Sequence, residues 1–228
     1  MRWSSRLLPL RRLLPFSRLL PLSRLLPLSR LLPLRRPSHG GGQATATDYS
    51  SAMDDTARGI RIRRGGPADA PAVLNMLDSA VIWMNDRGNT EQWGTTPFSE
   101  KPGGVEMVDR YLTENLPYIA ELDGTPAAVL VLDSGPAPQA PIAPAEEPER
   151  YVRLLVSDRR FAGRHLGSAL LAHAVEETRR AGVRLLRVDC WAGGGGELVA
   201  FYERHGFTST ETFQAGAWPG QVLAQRIG

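Results

Sequence analysis

The stretch RRFAGRHLGSALLAHA, residues 159–174, constrains the fold more than any other part of the chain. It follows a segment with strand character and places two glycines, Gly163 and Gly167, directly at the start of a helical pattern. The apolar residues of that pattern recur at helical spacing: they are Leu166, Ala169, Leu170 and Ala174. A strand that passes through a glycine-rich turn into an amphipathic helix is a unit of proteins in which helices cover a sheet.

The rest of the chain from residue 59 onward continues this alternation, in the order β-α-α-β-β-β-α-β-α-β-β. The predicted strands are 59–64, 117–124, 125–135, 150–160, 183–191, 207–214 and 220–227. The predicted helices are one that begins near Pro67 and others over 105–114, 166–181 and 197–206. We therefore expect residues 59–228 to form a single α/β (α+β) domain, with a mixed central sheet of about six to seven strands and about four flanking helices.

Residues 1–58 have a different composition, and we expect them to be a disordered leader. Residues 7–36 are five hexapeptides of the LLPLSR type, in which arginine and proline recur at every sixth position. The prolines break a helix, and the arginines interrupt any run long enough for a signal peptide or a membrane span. Residues 37–58 are rich in Gly, Ser, Thr and Ala, as flexible linkers are.

Three interpretations of the hexapeptides remain open. They could form a basic arm that binds a membrane surface or a partner, or an organelle-targeting leader. They could also be translated repetitive DNA upstream of a later start such as Met53, and we favour this last interpretation.

The charge of the chain is distributed unevenly, and this argues against nucleic acid as a partner. Residues 1–36 contain nine arginines and no acid, so the net charge of +3 conceals an acidic remainder. Removing those nine from the 27 basic residues leaves 18 basic against 24 acidic residues. Cys190 is the only cysteine, which rules out an intrachain disulfide and a cysteine-cluster metal site. We expect a cytoplasmic protein with no metal and no membrane span.

The glycine-rich turn is a candidate anion site. The first amides of a helix are unpaired and carry a partial positive charge, and Arg159, Arg160 and Arg164 add to the attraction. The spacing is neither that of a Walker A loop nor that of the dinucleotide-binding G-x-G-x-x-G turn. Taken alone, the turn is an ordinary helix cap.

The order of motifs around this turn resembles the GNAT acetyltransferase superfamily. LLVSDRR precedes the turn, and a later helix carries FYERHGF. LLRVDCWAGGGG and AWPGQVL are similar to a bacterial subgroup of undefined substrate. The resemblance extends from about residue 60 to the C-terminus and is strongest over 151–207. It implies an N-acetyltransferase that uses acetyl-CoA as co-substrate.

The resemblance also implies which residues bind the cofactor. In this family a segment Q/R-x-x-G-x-G/A wraps the pyrophosphate, and the bulged strand before it binds the pantetheine arm and the thioester through backbone N–H groups. The implied cofactor-binding residues are Leu154, Leu155 and Val156 on the strand, and Ala162, Gly163, Arg164, His165, Leu166, Gly167 and Ser168 on the loop. By simple alternation we expect Val152, Leu154 and Val156 to share one face of the strand.

Three positions depart from the family pattern. Ala162 stands where the motif has Gln or Arg, His165 where it has its middle glycine, and Gly195 where the family often has asparagine. Arg160 or Arg164 could supply the missing charge.

The implied mechanism is direct attack of an amine on the thioester. The family's general-acid tyrosine falls on Tyr202, whose ordinary pKa near 10 suits protonation of a thiolate. Backbone N–H groups of Leu155 or Val156 would polarise the carbonyl. Asp189 is the best candidate for the general base, and a chain of waters would serve equally well.

The remaining aromatic and histidine residues are expected to have simpler roles. We expect His165 and His205 to be solvated loop histidines, and the glycine run 193–196 to be a permissive loop. Trp93 and Trp218 lie in predicted loops that could give the acceptor pocket aromatic walls.

The acceptor is not fixed by the sequence. A small-molecule amine or a peptide amine fits, and the enzyme could be a homodimer. The alternative from another functional class is a non-catalytic acyl-CoA-binding regulatory or sensor domain, because Ala162 and Gly195 depart from the motif.

Overall fold

The computed structural model describes residues 59–228, in which seven strands form one sheet. The predictions for the leader and linker lie outside the described residues. The strands are β1 (Ile60–Arg64), β2 (Leu116–Leu122), β3 (Thr125–Asp133), β4 (Glu149–Ser157), β5 (Leu185–Trp191), β6 (Thr208–Ala215) and β7 (Trp218–Arg226). The α-helices of the described residues are α1 (Ala70–Asn85), α2 (Gly104–Glu114), α3 (Leu166–Arg180) and α4 (Glu197–Arg204). The predicted fold class is confirmed: this is a single domain with a seven-stranded mixed sheet and four flanking helices.

The sheet has the order β1-β2-β3-β4-β5-β7-β6. An opening forms between the neighbouring strands β4 and β5, because they pair over only part of their length. All neighbouring strands pair antiparallel except β4 and β5, which are parallel. This parallel pairing covers only Glu149–Val152 against Leu185–Val188. Beyond it β5 stays paired with β7 and β4 stays paired with β3, so β4 and β5 separate towards their C-terminal ends.

The two faces of the sheet bury two separate apolar clusters. The first cluster includes the apolar stripe of α3 and the buried residues of α4, with Val152 and Leu155 from β4. The second cluster contains the buried residues of α1 and α2, with Leu154 and Val156 from β4. The helices therefore form a layer on each side of the sheet.

A β-bulge explains why one face prediction is wrong. Val131 pairs with Leu154 while the next residue, Leu132, pairs with Val152, so Arg153 is an extra residue on β4. An extra residue reverses the alternation of side chains beyond it. Val152 therefore joins the first cluster, whereas Leu154 and Val156 join the second, and the three do not share a face.

Local sequence accounts for the turn between β2 and β3 and for the end of β4. The Asp123–Gly124 turn joins β2 to β3 with both residues at positive φ, 51° and 79°, as the hairpin signal predicts. Strand β4 ends earlier than predicted, at Ser157, because Asp158 caps a short 3-10 turn over Arg159–Phe161. None of the helices in residues 59–228 is both long enough and apolar enough to cross a membrane.

Candidate active site: the glycine turn and the opening between β4 and β5

The glycine turn is anchored to the sheet by Asp158, a buried residue directly after β4. Its N–H donates to the carbonyl of Ala127 at 2.8 Å. Its carboxylate accepts from the N–H of Arg160 at 2.9 Å and pairs with the guanidinium of the same residue at 2.7 Å. The charge of Arg160 is thus partly balanced by Asp158, which favours Arg164, an exposed residue, as a cation for a ligand.

The turn itself needs two residues in the left-handed region. Gly163 has φ 82°, and His165, the residue that caps α3, has φ 58° and ψ 21°. His165 therefore adopts the conformation that a glycine would adopt without cost, at the position where the family motif has its middle glycine. Histidine is among the residues that occur there more often than average, so the departure is accommodated by strain of about 1–2 kcal/mol.

The start of α3 presents free backbone donors to the turn. Its first i→i−4 hydrogen bond runs from Ala169 N–H to His165 O, at 3.0 Å, so the N–H groups of 166–168 lack helical partners. The side chain of His165, the capping residue, makes no hydrogen bond to this end of the helix. A shallow depression forms here, and it is lined by Ser157, Phe161, Ala162, Gly163, Arg164, His165, Leu166, Gly167, Ser168 and Phe201. The structure thus gathers all seven predicted loop residues around one depression.

The three predicted strand residues lie beside the opening between β4 and β5. The side chains of Leu154, Leu155 and Val156 are buried in the two apolar clusters. Only their peptide groups remain available to a ligand. In an antiparallel pair alternate residues direct their N–H groups towards the partner, so the others on this segment point away from β3. These N–H groups of β4 point towards β5, which within the described residues does not pair with β4 beyond Val152.

Asp189 is a buried carboxylate of β5, one residue beyond the end of the parallel pairing. It accepts a hydrogen bond of 2.7 Å from the hydroxyl of Tyr151 on β4. Burial, followed by the charge of Asp189, raises the pKa of Tyr151 well above its usual value. The neighbours of Asp189 in β5, Val188 and Cys190, both belong to the first apolar cluster, so by alternation the side chain of Asp189 lies on the α2 side of the sheet.

Tyr202 is enclosed on the opposite side of β5. It is 1% exposed, belongs to the first apolar cluster with Cys190, and packs against the ring of Phe207 with centroids 5.5 Å apart. Burial raises its pKa well above 10, with smaller contributions from Cys190 and Asp189, so its hydroxyl keeps its proton at neutral pH. In the depression the lining residue from this helix is Phe201.

His205 was expected to be a solvated loop residue, and that expectation is wrong. Its Nδ1 lies 2.7 Å from the carbonyl oxygen of Phe201, and its Nε2 lies 2.8 Å from the hydroxyl of Ser168. Burial lowers its pKa. The spacing of four residues from Phe201 to His205 is visible in the sequence, but the contact with Ser168 depends on how α3 and α4 pack.

Trp93 and Trp218 do not form a common wall. Trp218 begins β7, where it is buried against Phe213, and Trp93 stacks edge-on with Phe98 in the second cluster. The two tryptophans thus belong to different clusters and have core roles.

The glycine run is more than a permissive loop. A Cβ on Gly193 would lie 2.3 Å from the indole of Trp191, so the missing side chain makes room for that ring.

Cys190 is buried in the core as expected, and burial raises the pKa of its thiol. Within residues 59–228 there is no cluster of His, Cys, Asp and Glu side chains suited to a metal ion.

Comparison with known proteins agrees with this geometry. The sequence model of the acetyltransferase (GNAT) family matches residues 80–207. A GNAT acetyltransferase from Streptococcus pneumoniae has a similar fold, with a TM-score of 0.53 and 20% identity, over 74% of this chain and 99% of that chain. An acetyltransferase-like protein from Salmonella typhimurium, whose structure was solved with its cofactor acetyl-CoA, also has a similar fold. Its TM-score is 0.52 at 16% identity, over 75% of this chain and 95% of that chain.

A third similar structure is the ribosomal-protein-S18-alanine N-acetyltransferase from Escherichia coli. Its TM-score is 0.50 at 20% identity, over 74% of this chain and 94% of that chain. Acetyl transfer from acetyl-CoA is the general activity that the matching family supports. The matched region extends over more than half of the chain and contains the opening, the glycine turn and α4, and the chain therefore belongs to the GNAT acetyltransferase family.

Proposed function

We propose that this protein is an acetyl-CoA-dependent N-acetyltransferase that acts on a primary amine of a small molecule or a peptide. One observation carries the proposal: the opening between β4 and β5 continues directly into the glycine turn and the free N–H groups of α3. An extended ligand with a diphosphate at one end and a thioester at the other fits this arrangement of donors.

The cofactor would be bound largely by backbone groups. The loop residues 162–168 would hold the pyrophosphate through N–H groups at the positive end of α3, and Arg164 would add charge. The peptide groups of Leu154, Leu155 and Val156 would hold the pantetheine arm and the thioester. Because backbone donors do this work, the side-chain departures at Ala162 and His165 are compatible with binding.

The two side chains proposed to transfer protons, Asp189 and Tyr202, lie on opposite sides of β5. An amine nitrogen attacks the thioester carbon, and an N–H of Leu155 or Val156 stabilises the charge on the carbonyl oxygen. Asp189, held by the Tyr151 hydroxyl, accepts a proton from the amine directly or through water. The C–S bond breaks, and Tyr202 donates its proton to the departing sulfur.

A non-catalytic acyl-CoA sensor is the second candidate, and two observations favour it. Tyr202 is enclosed, with Phe201 and not Tyr202 lining the depression. Gly195, at the family's asparagine position, offers no side chain to a ligand. A sensor would bind the same cofactor by the same turn but transfer nothing.

The two candidates are separated by measuring binding and turnover in sequence. Acetyl-CoA is titrated into the protein by calorimetry, and a panel of amines is then screened for release of free thiol. The panel contains amino acids, polyamines, aminoglycosides and peptides with free N-termini. Binding with thiol release for at least one amine supports the enzyme, and binding without release for every amine supports the sensor. Failure to bind acetyl-CoA contradicts both.

A further inference from the structure

The contact between His205 and Ser168 joins the C-terminal end of α4 to the first turn of α3. Ser168 is the third residue of α3 and lines the same depression as the glycine turn. His205 is partly buried, with its ring 4.3 Å from that of Phe201 between centroids. A titratable side chain is thus hydrogen-bonded to a side chain of the candidate pyrophosphate site.

The partners of His205 fix where its proton lies. A carbonyl oxygen only accepts hydrogen bonds, so the 2.7 Å contact with Phe201 O requires a hydrogen on Nδ1. In the neutral ring Nε2 is then an acceptor, and the 2.8 Å contact with Ser168 must be a donation from the serine hydroxyl.

This arrangement is unfavourable for an anion beside Ser168. The hydroxyl has one hydrogen, and while it points to Nε2 only oxygen lone pairs are left for a phosphate. When His205 is protonated, Nε2–H donates to Ser168 instead. The hydroxyl hydrogen is then free to join the N–H groups of α3 in binding a phosphate oxygen.

We propose that His205 and Ser168 form a proton-linked relay that strengthens binding of the acyl-CoA pyrophosphate when His205 is protonated. The relay rests on the proposed function, since it requires that the glycine turn binds a pyrophosphate. His205 is a positioning residue in this scheme, because it acts on the ligand only through Ser168.

The charged surroundings of His205 set the direction of the effect. Burial and Arg204 of α4 lower its pKa, whereas the Phe201 carbonyl raises it. From α3 it is contacted by Ser168. The residues directly before that helix include Arg164 and His165, and the first turn of α3 contains no acid. Glu203 of α4 accepts a hydrogen bond from Ser209 of β6. A bound pyrophosphate adds negative charge and so raises the pKa of His205.

The sign of the pH dependence follows from this shift. Between the pKa of the free protein, which is below 6.5, and the higher pKa of the complex, binding takes up a proton. Affinity therefore increases as the pH falls through that interval, by about tenfold for each unit by which the ligand raises the pKa of His205.

The test is calorimetric titration with 3′-dephospho-coenzyme A, which keeps the pyrophosphate. It lacks the 3′-phosphate, a monoester whose own second ionisation near pH 6 would obscure the result. Titrations between pH 5.5 and 8 in two buffers of different ionisation enthalpy give the affinity and the number of protons taken up. We expect uptake approaching one proton and an affinity several-fold higher at pH 6 than at pH 8.

Three variants separate the relay from other sources of pH dependence. His205→Gln retains a donor for Ser168 but does not titrate, so it should bind with little pH dependence and no proton uptake. Ser168→Ala removes the relayed hydrogen and should also abolish the uptake. His173→Gln is the matched control on α3, because that ring packs on Tyr118 with centroids 4.5 Å apart, and its uptake should equal that of the wild type.

The possible failures are distinct. Binding without proton uptake in the wild type, or uptake that persists in His205→Gln, overturns the relay and leaves the proposed function intact. Absence of binding to both 3′-dephospho-coenzyme A and acetyl-CoA over the whole pH range overturns both.

Discussion

Asp189 combines two properties at the scale of a single residue: it is 1% exposed, and it lies one position beyond the last β4–β5 pair. A buried carboxylate is costly unless it is well hydrogen-bonded, and Tyr151 supplies one such bond. The hydrogen bond from Tyr151 thus holds the Asp189 carboxylate at the opening, where in the proposed reaction it accepts the proton of the attacking amine.

The first prediction concerns Asp189→Asn. The amide oxygen can still accept from Tyr151, so the fold should be retained while the charge is lost. We expect steady-state turnover to fall by about 100-fold, with the acetyl-CoA dissociation constant almost unchanged. Wild-type turnover in the variant would assign Asp189 a purely structural role.

The second prediction concerns Tyr202→Phe, which removes the only group proposed to protonate the departing sulfur. Turnover should decrease by about 10- to 100-fold, whereas calorimetry should give nearly the same acetyl-CoA affinity. Tyr118→Phe is the matched control, because the Tyr118 hydroxyl donates to Glu177 on α3 at 2.6 Å. Tyr118 lies on β2, which β3 and β4 separate from β5. Equal turnover of Tyr202→Phe and the wild type across pH would exclude Tyr202 from the mechanism.

At the scale of the element, the turn before α3 owes its shape to backbone conformation. Gly163 at φ 82° and His165 at φ 58° reverse the chain between Asp158 and the helix. Asp158 holds the other end of the turn through its bonds to Ala127 and Arg160. The element is therefore preorganised, and its donors need little rearrangement to meet an anion.

The third prediction tests this conformation. Gly163→Ala forces a side chain into the left-handed region and should lower the free energy of unfolding by about 1–2 kcal/mol, with weaker acetyl-CoA binding. Gly66→Ala is the control, because Gly66 is extended at φ −174° and a Cβ there would contact nothing within 4 Å. Denaturant unfolding and calorimetry of both variants provide the comparison, and equal stability of the two would contradict the assigned strain.

At the scale of the whole molecule, two histidines make the stability depend on pH. Burial lowers the pKa of His173 and His205, so the folded protein holds them neutral where the unfolded chain, with a pKa near 6.5, begins to protonate them. The unfolded state then binds more protons, and stability rises with pH in that interval.

The fourth prediction follows from this linkage. The free energy of unfolding should be at its full value above about pH 7 and should fall as the pH decreases below 6.5, by about 1.4 kcal/mol for each unit of pKa shift per histidine. Urea unfolding between pH 5 and 8 measures it, and His173→Gln should remove part of the slope. A stability that increases on acidification from pH 7 to 5.5 would contradict the prediction.

The sequence by itself determined the order of elements, the hairpin turn at Asp123–Gly124 and the identity of the candidate loop. These features depend on residues within a few positions of one another, through hydrophobic periodicity, turn chemistry and helix starts.

Only the tertiary structure decided the position of the bulge at Arg153, the separation of β4 from β5 and the contacts of Tyr151 with Asp189 and of Ser168 with His205. The residues of those two contacts are 38 and 37 positions apart. They meet because β4 and β5 are neighbours in the sheet and because α3 and α4 pack on its same face, and neither arrangement leaves a local pattern in the sequence. The chemistry proposed for this protein depends on these long-range contacts.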